Sequence, residues 1–186
     1  QCSLEGYPAV ALTDLSNLFG MVKFYTKATA KGIKPIFGAE IQLLMEHGES
    51  RVLLLCKSNQ GLDNLRCFIS KGYLQAERKQ TPIIPFEWLS DCQSDLIAIL
   101  IHDETLLTAC LNQQKQQAID LISLYQNKFP HSFYLGLSRF NSKSSSDKQM
   151  LQLAHWANSP VVAINHVCFL KKSDFDAHEA RVCIQE

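Results

Sequence analysis

No apolar stretch in this 186-residue sequence approaches the ~20 residues that a membrane-crossing helix needs. The longest runs, at residues 52–56 and 96–101, have the length of buried strands, and no charged-then-apolar leader opens the chain. Net charge is also missing. With 18 Lys+Arg against 18 Asp+Glu, no long-range field draws in a phosphate backbone, so this segment is not expected to be a main grip on nucleic acid. The seven cysteines are odd in number and scattered, without a CxxC pair that could seed a zinc knuckle or redox site. They read as reduced, mostly core thiols of a cytosolic protein. P-loop, GxGxxG, GxSxG, HxH and HExxH patterns are absent, as is any internal repeat.

What is present is enough apolar residue, 46%, for one sizeable core in a chain too short for two full domains. Residues 9–12 form a short apolar run. After a polar turn, Leu18, Met21, Val22, Tyr25 and Ala28 recur at helical spacing as far as Gly32, which predicts a strand feeding a helix. Apolar residues 34–37 and 41–44 flank a Gly38-Ala39 corner, and 51–56 follow the turn-rich His47, Gly48, Glu49 and Ser50, predicting two or three more strands. Leu62, Leu65, Ile69 and Tyr73 mark one helical face, and Pro82 and Pro85 interrupt regular structure before a short turn at 86–89.

The run 96–101 reads as a strand buried on both faces, and 113–129 as a helix burying Ala118, Leu121, Ile122 and Tyr125. A strand at 133–137, an exposed polar loop at 142–147, a helix at 150–157 and a strand at 160–165 follow. Ser173 and Asp176 form an imperfect capping box for a last helix through Ile184. This alternation predicts an α/β protein with a mainly parallel sheet and helices outside, open or closed into a barrel.

In such architectures chemistry gathers beyond the carboxyl ends of strands. Asp14, Glu40, His102 with Asp103, and His166 all occupy such positions, and carboxylates with imidazoles are what a metal-dependent hydrolase uses to polarise phosphate and activate water. Each has a structural reading too. Asp14 could cap a turn, Glu40 could be a solvated edge residue, and each histidine could be hydrogen-bonded filler. Spacing leaves these alternatives open. Cys168 reads as a buried inert thiol rather than a nucleophile, and Lys27, Lys31 and Lys34 as a solvated helix face rather than a phosphate site.

Three strings carry a resemblance: PAVALTDLSNLFGMVKFYTKATAKGIKPIFGAE at 8–40, SNQGLDNLRCFISKGYL at 58–74, and PVVAINHVCFLKKSDFDAHEARVCIQ at 160–185. Together they resemble the PHP (polymerase and histidinol phosphatase) domain at the start of the bacterial family C replicative polymerases, the DNA polymerase III alpha subunits. DFDAHE-x-RV, at 174–182, is the sharpest match, and 75–159 the least distinctive region. The resemblance implies a distorted (β/α)7-type PHP barrel, related to metal-dependent phosphoesterases and here lacking its first strand. Residues 1–186 would form a partial PHP domain, the amino-terminal part of a longer, cytoplasmic polymerase chain.

The resemblance also implies a ligand set: an upstream H-x-H, a T-D-H-G turn, a G-x-E corner, a later His and Cys or His, and an N-D-x-H strand end. Here Asp14 survives in the turn, but Leu15 replaces its histidine, and Glu40 survives at the corner. Arg51 replaces another ligand histidine, and His102 falls near a Cys or His position. Gly136 replaces a strand glutamate, and Asn165, His166, Val167 and Cys168 stand at N-D-x-H. Zn or Mn is the implied metal if the site survives, and Mg serves the parent polymerase, whose own active site this segment lacks. The expected role is a catalytically degenerate module that braces the polymerase and docks the proofreading exonuclease subunit, with DNA met only through the parent protein and no membrane partner. The alternative is a residual phosphoesterase, a pyrophosphatase or 3′-5′ exonuclease, using Asp14, Glu40, His102 and His166. A free-standing phosphatase acting on a small metabolite is a third reading, against which the DFDAHE string argues.

Overall fold

Alternating apolar residues build one long hairpin at the centre of the molecule. Strand β2 (Lys34–Met45) runs antiparallel to β3 (Gly48–Cys56), in register from Gly38 opposite Leu55 to Met45 opposite Gly48. The structure, a computed structural model, describes residues 1–75, 81–138, 145–165 and 167–185. Among these, β1 (Ala9–Leu12) pairs in parallel with β2, and β3 pairs antiparallel with β5 (Leu96–Asp103). Strands β6 (Phe133–Ser138) and β7 (Val161–Ile164) extend β5 in parallel, giving the order β1-β2-β3-β5-β6-β7 in a curled half-barrel. The short β4 (Ile83–Pro85) pairs with β2 off this path.

The helices are α1 (Met21–Thr29), α2 (Asn59–Gln75), α3 (Glu104–Leu111), α4 (Lys115–Lys128), α5 (Ser145–Ala157) and α6 (Phe175–Gln185). One sheet face, with Ile41, Leu43, Val52, Leu54 and Leu100, is sealed against Leu65, Leu106, Ile122 and Leu153 from α2 to α5, all at 1% exposure or less. Each such side chain contributes about 1.5–3 kcal/mol by leaving water.

The α/β architecture and half-barrel agree with the expected PHP-type fold, but several elements differ from their sequence readings. Among the described residues the sheet is mainly parallel, as expected, with four parallel pairings; the two antiparallel ones flank β3, which returns through a tight turn at Gly48, where φ is +137°. Strand β2 runs unbroken through Gly38, whose missing side chain leaves room for the Leu54 carbonyl only 2.5 Å from where a Cβ would stand. Pro82 and Pro85 bracket the short β4, which sits on a sheet edge where proline's lost donor is tolerated, and Pro85 ends it before a 3-10 turn at Phe86–Asp91, as expected. Helix α3 had no periodic signal; its start is set by Asp103, whose side chain accepts a hydrogen bond from Leu106 N at 2.9 Å.

On α2, Leu65 and Ile69 face the core, whereas Leu62 is half-buried and Tyr73 exposed. The last helix is preceded by a turn held by Asp174, which accepts from Lys171 N, rather than by the Ser173/Asp176 pair. Of the expected polar loop at 142–147, residues 142–144 lie outside the described residues and 145–147 belong to α5. Only Cys92 and Cys110 are core thiols; Cys67, Cys168 and Cys183 are exposed. Cys168 is therefore not a buried thiol, because the segment after β7 finds little of the chain to pack on. Burial pushes the thiol of Cys92 up to about 12 and that of Cys56 up to about 11.

Candidate functional site

The T-D-L-S turn after β1 is laced to β2 by its backbone. Glu40 N donates to Asp14 O at 3.1 Å and Ser16 N to Glu40 O at 2.8 Å, so Leu15 and Glu40 lie side by side as an isolated parallel bridge. Ser16 is forced to a positive φ of 50°. Asp14 does not cap α1: Gly20 is the N-cap without a side-chain bond, and Asn17 takes the turn by accepting from Phe19 N at 3.1 Å. The Glu40 carboxylate is not a solvated edge group. Its side chain is 8% exposed and accepts a hydrogen bond from the Arg51 guanidinium at 3.1 Å.

Side chains two residues apart on a strand share a face, so Glu40 lies on the same face as Gln42, which pairs with Arg51. Arg51 in turn pairs with His102 across β3 and β5. That second pairing depends on a bulge. Val52 pairs with Leu100 but Arg51 with His102, leaving Ile101 as an extra residue. The bulge turns His102 outward beside Arg51, where it is exposed, and turns Asp103 inward beside Ser50.

Asp103 is thus not part of this face. It is 5% exposed, caps α3, and accepts at 3.3 Å from the Tyr125 hydroxyl, which lies 2.6 Å from Ser50 Oγ. Burial raises the carboxyl of Asp103 above its ordinary range despite the opposing pull of these hydrogen bonds, and burial likewise raises the Tyr125 phenol. Ser50 and Tyr125 escaped sequence reading because neither carries a motif; Tyr125 showed only as one of a helix's core-facing residues.

Asp14 follows β1 and His102 lies near the end of β5's pairing with β3, but Glu40 sits in the middle of β2 rather than beyond its end, because β2 continues to Met45. Asp14 adjoins Glu40 through the backbone, His102 adjoins Arg51, and His166 lies outside the described residues. Among the described residues no three His, Cys, Asp or Glu side chains gather as a metal-ligand set. The residue chemistry argues the same way. Leu15 has no donor atom, the Glu40 carboxylate is engaged by a fixed cation, and a Cβ on Gly136 would meet Leu100 O at 3.0 Å and Ile164 Cδ1 at 2.8 Å. The described residues do not fit a multinuclear metal centre. Lys27, Lys31 and Lys34 are solvated, as expected of a helix face and its end.

The PHP domain family matches residues 1–140. This chain belongs to the PHP family. Over 97% of its length this PHP chain is 38% identical to the DNA polymerase III subunit alpha of Pseudomonas aeruginosa and 37% identical to that of Vibrio cholerae. The identity to the Escherichia coli subunit is 35% over the same share. The chain spans only 16% of the length of each of these relatives. The fold resembles a Bifidobacterium adolescentis protein described as a metal-dependent phosphoesterase, with a TM-score of 0.53 at 10% identity, covering 88% of this chain and 78% of that one. It also resembles an amidohydrolase from Chromobacterium violaceum crystallised with sulfate and no metal, with a TM-score of 0.50 at 13% identity, covering 97% and 88%. These two likenesses concern the fold. No helix among the described residues is long and apolar enough to cross a membrane.

Proposed function

We propose that residues 1–186 form the amino-terminal PHP region of a bacterial DNA polymerase III alpha subunit, and that its phosphoesterase centre is disabled. The ion pair between Arg51 and Glu40 carries this reading. In a metal centre the buried Glu40 carboxylate would neutralise a cation; here the guanidinium supplies that charge permanently and without coordination chemistry. Leu15 beside it offers nothing to a metal. The module then serves the polymerase as a brace and as the docking site of the proofreading exonuclease subunit, in the cytoplasm, meeting DNA and the polymerase's Mg²⁺ only through the parent chain.

The test is a metal and activity titration of the whole alpha chain. The expected result is no stoichiometric Zn²⁺ or Mn²⁺ attributable to this domain, no ligand-dependent phosphodiesterase or pyrophosphatase turnover, and micromolar or tighter binding of the exonuclease subunit. Stoichiometric metal with turnover that vanishes in Glu40→Gln or Asp14→Asn would overturn the disabled centre in favour of a residual phosphoesterase. Failure of the exonuclease subunit to bind would remove the docking role.

A further inference from the structure

The turn after β1 and one side of α2 enclose a groove of about 620 Å³. Its walls are mainly apolar: Leu18, Phe19 and Met21 on one side, Leu62, Ile69 and Tyr73 on the other. Phe19 is 89% exposed and Leu74, at the end of the α2 wall, 83%. Contiguous apolar surface of this kind marks an interaction site. The α2 wall repeats at Leu62, Arg66, Ile69 and Tyr73, so it extends for about 16 Å at the helical rise of 1.5 Å per residue.

The polar groups say what kind of occupant fits. Asp63 and Arg66, the charged residues of the groove, pair with each other at 3.0 Å and leave no net charge to orient an ionic ligand. Ser16, also at the groove, is fully buried and its hydroxyl has no hydrogen-bond partner among the described residues. A long apolar segment would cover Phe19 and Leu74 together.

We infer that this groove is the seat of an apolar segment of the polymerase chain lying outside residues 1–186, an inference that rests on the proposed membership of a longer polymerase. The relatives matched along 97% of this chain carry 84% of their own length elsewhere, since the chain spans 16% of them. A covalently linked segment also reaches the groove as an intramolecular event, which favours it over a free partner of equal affinity.

The experiment uses the full-length chain with the photo-crosslinker of Tyr73→p-benzoylphenylalanine, irradiated with and without the exonuclease subunit, digested and mapped by mass spectrometry. The expected product is an intrachain cross-link to a residue outside 1–186, lost when Phe19→Asp places a charge on the opposite wall. Phe19 is 89% exposed within residues 1–186, so the charge leaves the packing of this region itself undisturbed and acts only on what seats in the groove. Cross-links confined to residues 1–186, to the exonuclease subunit or to a second copy, or none at all, overturn the seat. Intact mass is measured first. A chain without a polymerase-length remainder overturns the membership reading and the seat with it, whereas a full-length chain that cross-links elsewhere overturns the seat alone.

Discussion

Replacing Arg51 by alanine strips the buried Glu40 carboxylate of the guanidinium 3.1 Å away. Because Arg51 is half exposed, solvent recovers part of the loss, and Arg51→Ala is expected to cost about 1–2 kcal/mol in urea unfolding. Adding Glu40→Gln should restore part of that cost, since the amide carries no charge to strand; a double variant as unstable as the sum of the two singles would show that the pair is not coupled. Asp103 offers a pH signature. Its folded carboxyl is held above the ordinary value of 3.8 by burial, so its contribution is complete below that value and lost as pH rises through the raised one. The stability of wild type minus that of Asp103→Asn should therefore fall from about pH 4 upward and then level off. A difference that grows with pH would mean that the hydrogen bonds from Leu106 and Tyr125 outweigh burial. At this scale the identities of Leu15, Glu40 and Arg51 were legible in sequence, while the Arg51–Glu40 contact was not, because residue order says nothing of which strands become neighbours.

Among the elements, α2 shows what its N-x-G-x-x-N-L string is for. Gly61 passes so close to the turn before β5 that a Cβ would lie 2.2 Å from Asp95 O, a carbonyl already held by Lys57 N at 2.9 Å. Asn64 then clamps the same turn, donating to Ser94 O at 3.0 Å and Ser94 Oγ at 2.9 Å. Gly61→Ala must push helix and turn apart and is expected to destabilise by about 1–3 kcal/mol in the same unfolding assay. An unchanged midpoint would show that the turn yields freely. This helix was legible from its period, but its two-faced character was not. Leu65 meets the sheet, Leu62 and Tyr73 wall the groove, and Ile69 lies between the two, and a stripe of apolar residues does not announce which neighbour covers it.

For the whole molecule, the half-barrel divides into a well-packed sheet with α2 to α5 and a trailing α6 that packs chiefly on its own preceding turn. Phe169 stacks edge-on against Phe175 at 5.8 Å, yet Phe175 is 47% exposed and Ile184 84%. An eleven-residue helix with so little tertiary support among the described residues is marginal in water. Hydrogen exchange of this chain alone should find the α6 amides unprotected while those of β3 and β5 exchange slowest, and equal protection in α6 would refute its independence. Sequence alone determined most helices and strands, through their periods of 3.6 and 2, and the absence of a donor atom at Leu15, through side-chain identity. Tertiary structure alone decided that His102 faces Arg51 while Asp103 is buried. A strand's alternation holds only until a bulge interrupts it, and the bulge before Asp103 exists because β5 pairs with β3, some fifty residues distant in the chain.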